Sequence, residues 1–296
     1  MKRLGFVGFG EAAFHMAKGL GGEGVSGIVA YDAALDADLP YKETLLKRAG
    51  EACAGLASSL EELIDQSDVV VAAVPAKYTE ETLRQILCFI RKDMLVVDVT
   101  TALPDIKERM EQAFSAEGAF YADSAMLGPL PVYAHRVPML ASGSGASKWH
   151  DLMTPFHMSI TVVEGYAGNA SRIKLVRSVF MKGLEALLAE TFVFAHRCGI
   201  ESVILDSISE TMNKTTFQNT ARRLLCADVI HSERRSFEVS EAIALMKEIG
   251  LESHVSEGVR KRLELTTQLE AAKKLGGIAP ETLEEVFAIW DEGNYR

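Results

Sequence analysis

The chain is 296 residues long, with a formal net charge of −10, 24% charged residues and 48% hydrophobic residues. That length suits two domains with ample core, and an acidic balance without a basic stripe or Arg-rich tail excludes nucleic acid as an expected partner. No membrane span or leader is expected: the densest apolar run, residues 69–74, is far too short to cross a bilayer, and Gly5, Gly8, Gly10 and Glu11 interrupt any apolar core after Met1-Lys2-Arg3.

Taken in chain order, the first element is a short buried-strand pattern at residues 4–7. It leads into the turn Gly8-x-Gly10-x-x-Ala13 and then into helical spacing from Ala12 to Leu20. Gly8 permits a tight strand-to-helix turn, Gly10 lets the backbone approach a diphosphate, and Ala13 allows close packing of helix on sheet. The N–H groups and dipole of such a helix start hold an anion, which makes Gly8, Phe9, Gly10, Glu11 and Ala12 the expected cofactor-binding positions. A second strand at 28–31 ends on Asp32, an acid placed to accept hydrogen bonds from adenosine ribose hydroxyls and to repel a 2′-phosphate. Ala33-Ala34-Leu35 supply no Arg or Lys to offset that repulsion, so NAD is expected in preference to NADP. The competing reading of Asp32 is a turn residue that closes the strand.

The alternation continues with a helix at 60–65, a strand at 69–74, a helix at 79–90, a strand at 94–98, a Pro-started helix at 104–114 and a strand at 119–123. Further strands at 137–141 and 160–163 flank a short helix at 149–153. This pattern predicts an α/β fold with a doubly wound, largely parallel sheet of Rossmann type. Beyond Gly168 the apolar residues recur at three and four, which predicts one long helix ending before Gly199 and further helices at 203–213, 220–229, 238–250, 257–275 and 280–290. The expected division is a nucleotide-binding domain over residues 1–163 and an all-α domain over 164–296.

In open α/β sheets the ligand lies beyond the carboxyl ends of the strands. That places Val74-Pro75, the segment Asp98-Val99-Thr100-Thr101-Ala102-Leu103-Pro104, the loop from Ser124 to Pro129 and the run Gly168-x-Ala170-x-x-x-Lys174-x-x-x-Ser178 around one crevice. In this order the segments resemble the β-hydroxyacid dehydrogenase superfamily, which includes 3-hydroxyisobutyrate and 6-phosphogluconate dehydrogenases. The resemblance implies that Thr100 lies near the nicotinamide riboside and that Lys174 is the general acid/base. It also implies that Ser124, Leu127, Gly128 and Ser178 line the substrate. The chain departs from the family pattern at Leu127 and Pro129, where anion-binding groups are usual, and at Ser178, which replaces Asn. Arg234 or Arg235, where the family often carries a Lys-Asp pair, would offer a guanidinium to an anionic substrate, with solvated helix-surface residues as the alternative.

The function expected from this reading is hydride transfer between nicotinamide and a small, anionic hydroxy acid or related alcohol. Imine reduction and a catalytically inactive nucleotide-binding sensor are the alternatives. The resemblance implies a homodimer. The seven histidines are scattered and none is assigned to a metal, while Cys53, Cys88, Cys198 and Cys226 lack paired spacing and suit a reducing cytoplasm.

Overall fold

The computed structural model describes residues 2–36 and 40–293, and the chain divides into two compact units, residues 1–179 and 180–296. In the first unit the described strands are β1 (Leu4–Val7), β2 (Val29–Tyr31), β3 (Gly55–Leu56), β4 (Val69–Ala72), β5 (Leu95–Asp98), β6 (Phe120–Met126), β7 (Met139–Ser142) and β8 (Ile160–Val162). They form one sheet in the order β3-β2-β1-β4-β5-β6-β7-β8. All pairs are parallel except β6 with β7. The order reverses between β1 and β4, the place where doubly wound sheets open a ligand crevice.

Strands β1, β4 and β5 are buried at every position, as expected of central parallel strands covered on both faces. Their side chains alternate between two cores. Phe6, Val69, Val71 and Val97 pack with Met16, Leu20 and Trp149 on one face, while Val70, Ala72 and Val96 pack with Leu63, Ile86, Met110 and Phe114 on the other. The covering helices of this unit are α1 (Glu11–Gly22), α2 (Tyr41–Glu51), α3 (Leu60–Asp65), α4 (Thr79–Leu87), α5 (Pro104–Ala116), α6 (Leu130–Tyr133) and α7 (Ala146–Met153).

Three elements escape the sequence pattern, the four-residue α6 among them. Helix α2 buries only Leu45 and Ala49, too narrow a stripe to register as amphipathic, and β3 has two residues. One expected boundary is corrected: the strand placed at 119–123 runs on to Met126, because β7 turns back antiparallel and pairs Ser124 with Ala141 and Met126 with Met139.

Helix α8 (Asn169–Cys198) begins in the first unit and continues into the second, which also holds α9 (Glu201–Asn213), α10 (Phe217–Glu248), α11 (His254–Gln268), α12 (Ala271–Lys274) and α13 (Leu283–Glu292). The two helices expected at 220–229 and 238–250 are one 32-residue helix, since the intervening residues contain neither Gly nor Pro to stop it. A small core of Cys226, Val229, Ala271 and Val286 joins α10 to α12 and α13. Glu190 on α8 accepts from the Val255 and Ser256 N–H groups, each at 2.8 Å, and from the Ser256 hydroxyl at 2.7 Å. It thereby satisfies donors at the start of α11 that the helix itself leaves unpaired. Among the described residues no helix is long and apolar enough to cross a membrane.

Candidate active site

The glycine turn sits at the carboxyl end of β1. Gly8 has φ +83°, and a Cβ there would come within 2.7 Å of both the Ala73 carbonyl oxygen and Val74 Cγ1. The turn is therefore packed against the segment leading into Val74-Pro75 and demands a residue without a side chain. Gly10 differs: a Cβ there would meet nothing within 4 Å. Its absence leaves open space in front of the α1 N-terminus, whose N-cap residue is Gly10 itself, without a side-chain cap hydrogen bond. Ala13 is fully buried under the sheet. An exposed backbone cradle at a helix start is the donor set that suits a diphosphate.

Asp32 is half-buried at the end of β2. Its Oδ2 accepts the Phe9 N–H at 2.6 Å and its Oδ1 accepts the Ala34 N–H at 2.8 Å. The carboxylate is thus both a turn residue and the tie that holds the glycine loop. With about four acceptor positions on its two oxygens, it keeps capacity for a ribose hydroxyl.

Thr100, expected near the nicotinamide riboside, stands in the loop that follows β5. It is buried, with its N–H donating to Asp98 Oδ1 at 2.9 Å and its Oγ1 accepting from the Thr79 hydroxyl at 2.8 Å. The exposed hydroxyl of this loop belongs to Thr101, which accepts from Lys174 Nζ at 2.9 Å.

Beneath this loop lies a cluster that the sequence reading missed. Lys107, Asp98 and Asp123 have fully buried side chains, and Lys107 Nζ stands 2.7 Å from Asp98 Oδ2 and 3.6 Å from Asp123 Oδ1. The ammonium also donates to the Thr100 carbonyl at 3.0 Å and lies 3.2 Å from Thr100 Oγ1. Tyr121 donates its hydroxyl to Asp98 at 2.7 Å. Burial first, and then the charge of Asp98, push the Tyr121 hydroxyl well above its ordinary range, so it stays a protonated donor. A lysine three residues into a Pro-started helix reads as solvated in sequence. Only the helical phase that buries Met110 and Phe114 turns Lys107 inward as well.

The first turn of α8 is fixed by Asp123, whose carboxylate accepts from the Gly168 N–H at 3.0 Å, the Ser171 N–H at 2.9 Å and the Ser171 hydroxyl at 2.7 Å. Gly168, at φ +99°, rests on α5, where a Cβ would lie 2.7 Å from the Pro104 carbonyl oxygen. One turn on, Lys174 reaches Thr101, and Ser178 follows on the same helix face.

The expected substrate loop divides between strand β6 and the turn that follows it. Ser124 is fully buried within β6, with its hydroxyl toward Met139 Sδ at 3.7 Å, because the strand continues through it. Leu127 and Gly128 do emerge beyond the strand, and the Leu127 carbonyl accepts from Arg177 Nη1 at 3.2 Å. Arg177, three residues after Lys174, is therefore the arginine the structure sets beside this loop. Arg234 lies on α10 in the second unit and pairs with Glu238 one turn along its own helix, the helix-surface alternative of the sequence reading. Among the described residues no group of three or more His, Cys, Asp or Glu gathers as metal ligands would.

Known proteins bear on this arrangement. Residues 3–102 match a family model described as NADP oxidoreductase coenzyme F420-dependent, and residues 195–266 match one described as Domain of unknown function (DUF1932). A conserved protein of unknown function, whose structure is described as similar to 3-hydroxyacid dehydrogenases, is 26% identical, with 94% of this chain and 100% of that chain covered at a TM-score of 0.59. The chain is thus similar over residues 3–102 to NADP oxidoreductases and, in fold, to 3-hydroxyacid dehydrogenase-like proteins. The NADH-dependent oxidoreductase UcdB of Aspergillus ustus is 25% identical over 222 residues, covering 72% of this chain and 76% of its own. An imine reductase from Myxococcus stipitatus in complex with NADP+ shares the fold at 16% identity, covering 92% of this chain and 96% of that one with a TM-score of 0.73. The Rossmann architecture and the helical C-terminal part are thereby borne out, and the match over residues 3–102 supports a nicotinamide cofactor.

Proposed function

We propose that this oxidoreductase moves hydride between nicotinamide and a small anionic hydroxy acid or related alcohol, with Lys174 as general acid/base and NAD preferred to NADP. The observation that carries the reading is the Lys174 ammonium, held 2.9 Å from Thr101 Oγ1 at the carboxyl edge of the sheet and followed one turn later by a guanidinium at the Leu127 carbonyl. Bound nicotinamide supplies the hydride acceptor or donor. The chain supplies the proton path: in oxidation the substrate hydroxyl gives its proton to the neutral Lys174 amine, and in reduction the ammonium returns it to the carbonyl oxygen. Arg177 has five N–H donors, of which the Leu127 carbonyl takes one, and the others suit a substrate carboxylate.

Asp32 supports the NAD preference because its charge faces the glycine loop to which it is bonded, where a 2′-phosphate would meet repulsion. The NADH dependence of UcdB agrees with it, whereas the NADP+ bound by the Myxococcus enzyme runs the other way. Titration of the protein with both reduced cofactors should give tighter binding of NADH, and Asp32→Ala should narrow the gap by roughly tenfold, the equivalent of one hydrogen bond to a charged group. Equal affinities in the wild type would remove the preference. Hydroxy acids and cyclic imines assayed in parallel at the nicotinamide absorbance would decide between C–O and C=N chemistry. The fold shared with imine reductases keeps the second in view, and inactivity toward both would leave the nucleotide-binding sensor.

The same proposal includes a homodimer in the cytoplasm. Within the second unit Leu187, Leu188, Val193, Val203, Leu205 and Met212 are exposed, apolar side chains of the kind a second copy would cover. Light scattering should return twice the 32.3 kDa chain mass, and a monomer would end the dimer reading. Cys53, Cys88 and Cys198 are free and exposed, a state that a reducing compartment maintains.

A further inference from the structure

One buried group has no part in the proton path just described. Lys107 is completely enclosed, yet its ammonium touches both segments that meet at Lys174. One arm runs through Asp123, which binds Gly168 and Ser171 in the first turn of α8, three residues before Lys174. The other runs through Thr100, whose carbonyl and hydroxyl oxygens both lie within hydrogen-bond distance of Lys107 Nζ, and whose neighbour Thr101 receives the Lys174 ammonium. The two arms close at the Lys174–Thr101 hydrogen bond, so Lys107 and Lys174 belong to one ring of polar contacts.

We propose that Lys107 is a positioning residue for Lys174, holding the loop after β5 and the start of α8 in the one register that keeps the Lys174 amine on Thr101. The proposal rests on the reading of Lys174 as the reactive amine, but it concerns the placement of that amine and is testable without a substrate.

The chemistry explains why a charge is used. The loop and the helix start each present polar groups to the interior. The helix start offers N–H donors, which Asp123 accepts, while the loop offers a carbonyl and a hydroxyl as acceptors. A single buried cation can bond the loop acceptors directly and balance the carboxylate that gathers the helix donors. An apolar residue could fill the same volume, but it would tie neither segment. Buried ion pairs are often replaceable without loss of stability, which makes geometry rather than stability the quantity to measure. Asp98 completes the balance. It takes the closer contact to Lys107 together with the Thr100 N–H and the Tyr121 hydroxyl, so the loop is gripped through its N–H, its carbonyl and its side chain at once.

The test is trace acetylation of the intact protein with acetic anhydride across a pH series, with Lys174 modification quantified by peptide mass spectrometry. In Lys107→Met the acetylation rate of Lys174 should rise about fivefold, the ratio that corresponds to the loss of one net hydrogen bond. Leu63→Ala, in the core on one face of the sheet and outside the ring, serves as the control for general loosening and should leave Lys174 at the wild-type rate even where its melting temperature falls as far. Ser171→Ala, which removes one of the bonds to Asp123, is the milder cut and should raise the rate in the same direction; it carries the test should Lys107→Met fail to fold. Wild-type acetylation of Lys174 in a folded Lys107→Met protein, or in Ser171→Ala when only that variant folds, overturns the proposal, as does an equal rise in the Leu63→Ala control. Should the coupling hold while Lys174→Ala retains turnover, the acid/base reading falls and the positioning stands.

Discussion

Replacing Lys174 by alanine should lower turnover by about 10²- to 10⁴-fold, the usual contribution of a positioned proton-transfer group, while NADH binding and the melting temperature stay close to wild type. The side chain is only half-buried, and substitutions of that kind away from the core change stability by about 0.5 kcal/mol or less. Lys174→Arg sharpens the result. It keeps the positive charge and the reach to Thr101, but a guanidinium does not give up its proton at any working pH, so it should be nearly as inactive as the alanine variant. Turnover with the substrate found in the hydroxy acid and imine panel, measured alongside fluorescence titration of NADH, checks both expectations. A Lys174→Arg protein at wild-type turnover would show that charge, and not proton transfer, is what this position supplies.

The second large effect is expected at Gly10. Val at that position meets no protein atom through its Cβ, because the space around Gly10 is open to 4 Å. The fold should lose only the N-cap preference for Gly over a β-branched residue, about 1 kcal/mol. A diphosphate on the α1 N-terminus would occupy the same space, so the dissociation constant for NADH should rise about 10- to 100-fold, the loss of one charge-assisted hydrogen bond to the backbone. Gly8→Ala should fail in the opposite way. Its φ of +83° and its 2.7 Å approach to Ala73 and Val74 put strain and a clash into the protein itself, so the melting temperature falls before any ligand is added. Calorimetric titration together with thermal melts separates the two. Unchanged NADH affinity in Gly10→Val would remove the diphosphate from this turn.

The positions legible in the sequence share a property: each is fixed by a local steric or periodic requirement. The turn Gly8-x-Gly10-x-x-Ala13 is readable because only small residues satisfy a positive φ, an open backbone face and a close helix–sheet contact at that spacing. The placement of Lys174 early in a helix is readable because a glycine turn precedes it. Positions whose surroundings depend on which way a side chain turns are not legible in this way. Thr100 and Thr101 are neighbours of the same type, and nothing local says that the first is buried on Asp98 while the second meets Lys174. Ser124 reads as the start of a loop until β7 returns antiparallel and extends the strand through it. Arg234 is the guanidinium that the sequence suggests and Arg177 is not, yet Arg177 lies at the Leu127 carbonyl while Arg234 lies on Glu238 of its own helix.

By itself the sequence determined the alternation of strands and helices, the parallel sheet with its glycine turn, and the change to helix at α8, because backbone sterics and hydrophobic period act over a few residues at a time. Tertiary structure alone decided that Lys107, Asp98 and Asp123 form one buried charged cluster. Those residues come from α5, β5 and β6, and a charge is driven to pair in the interior only once the chain has closed around it and taken its water away.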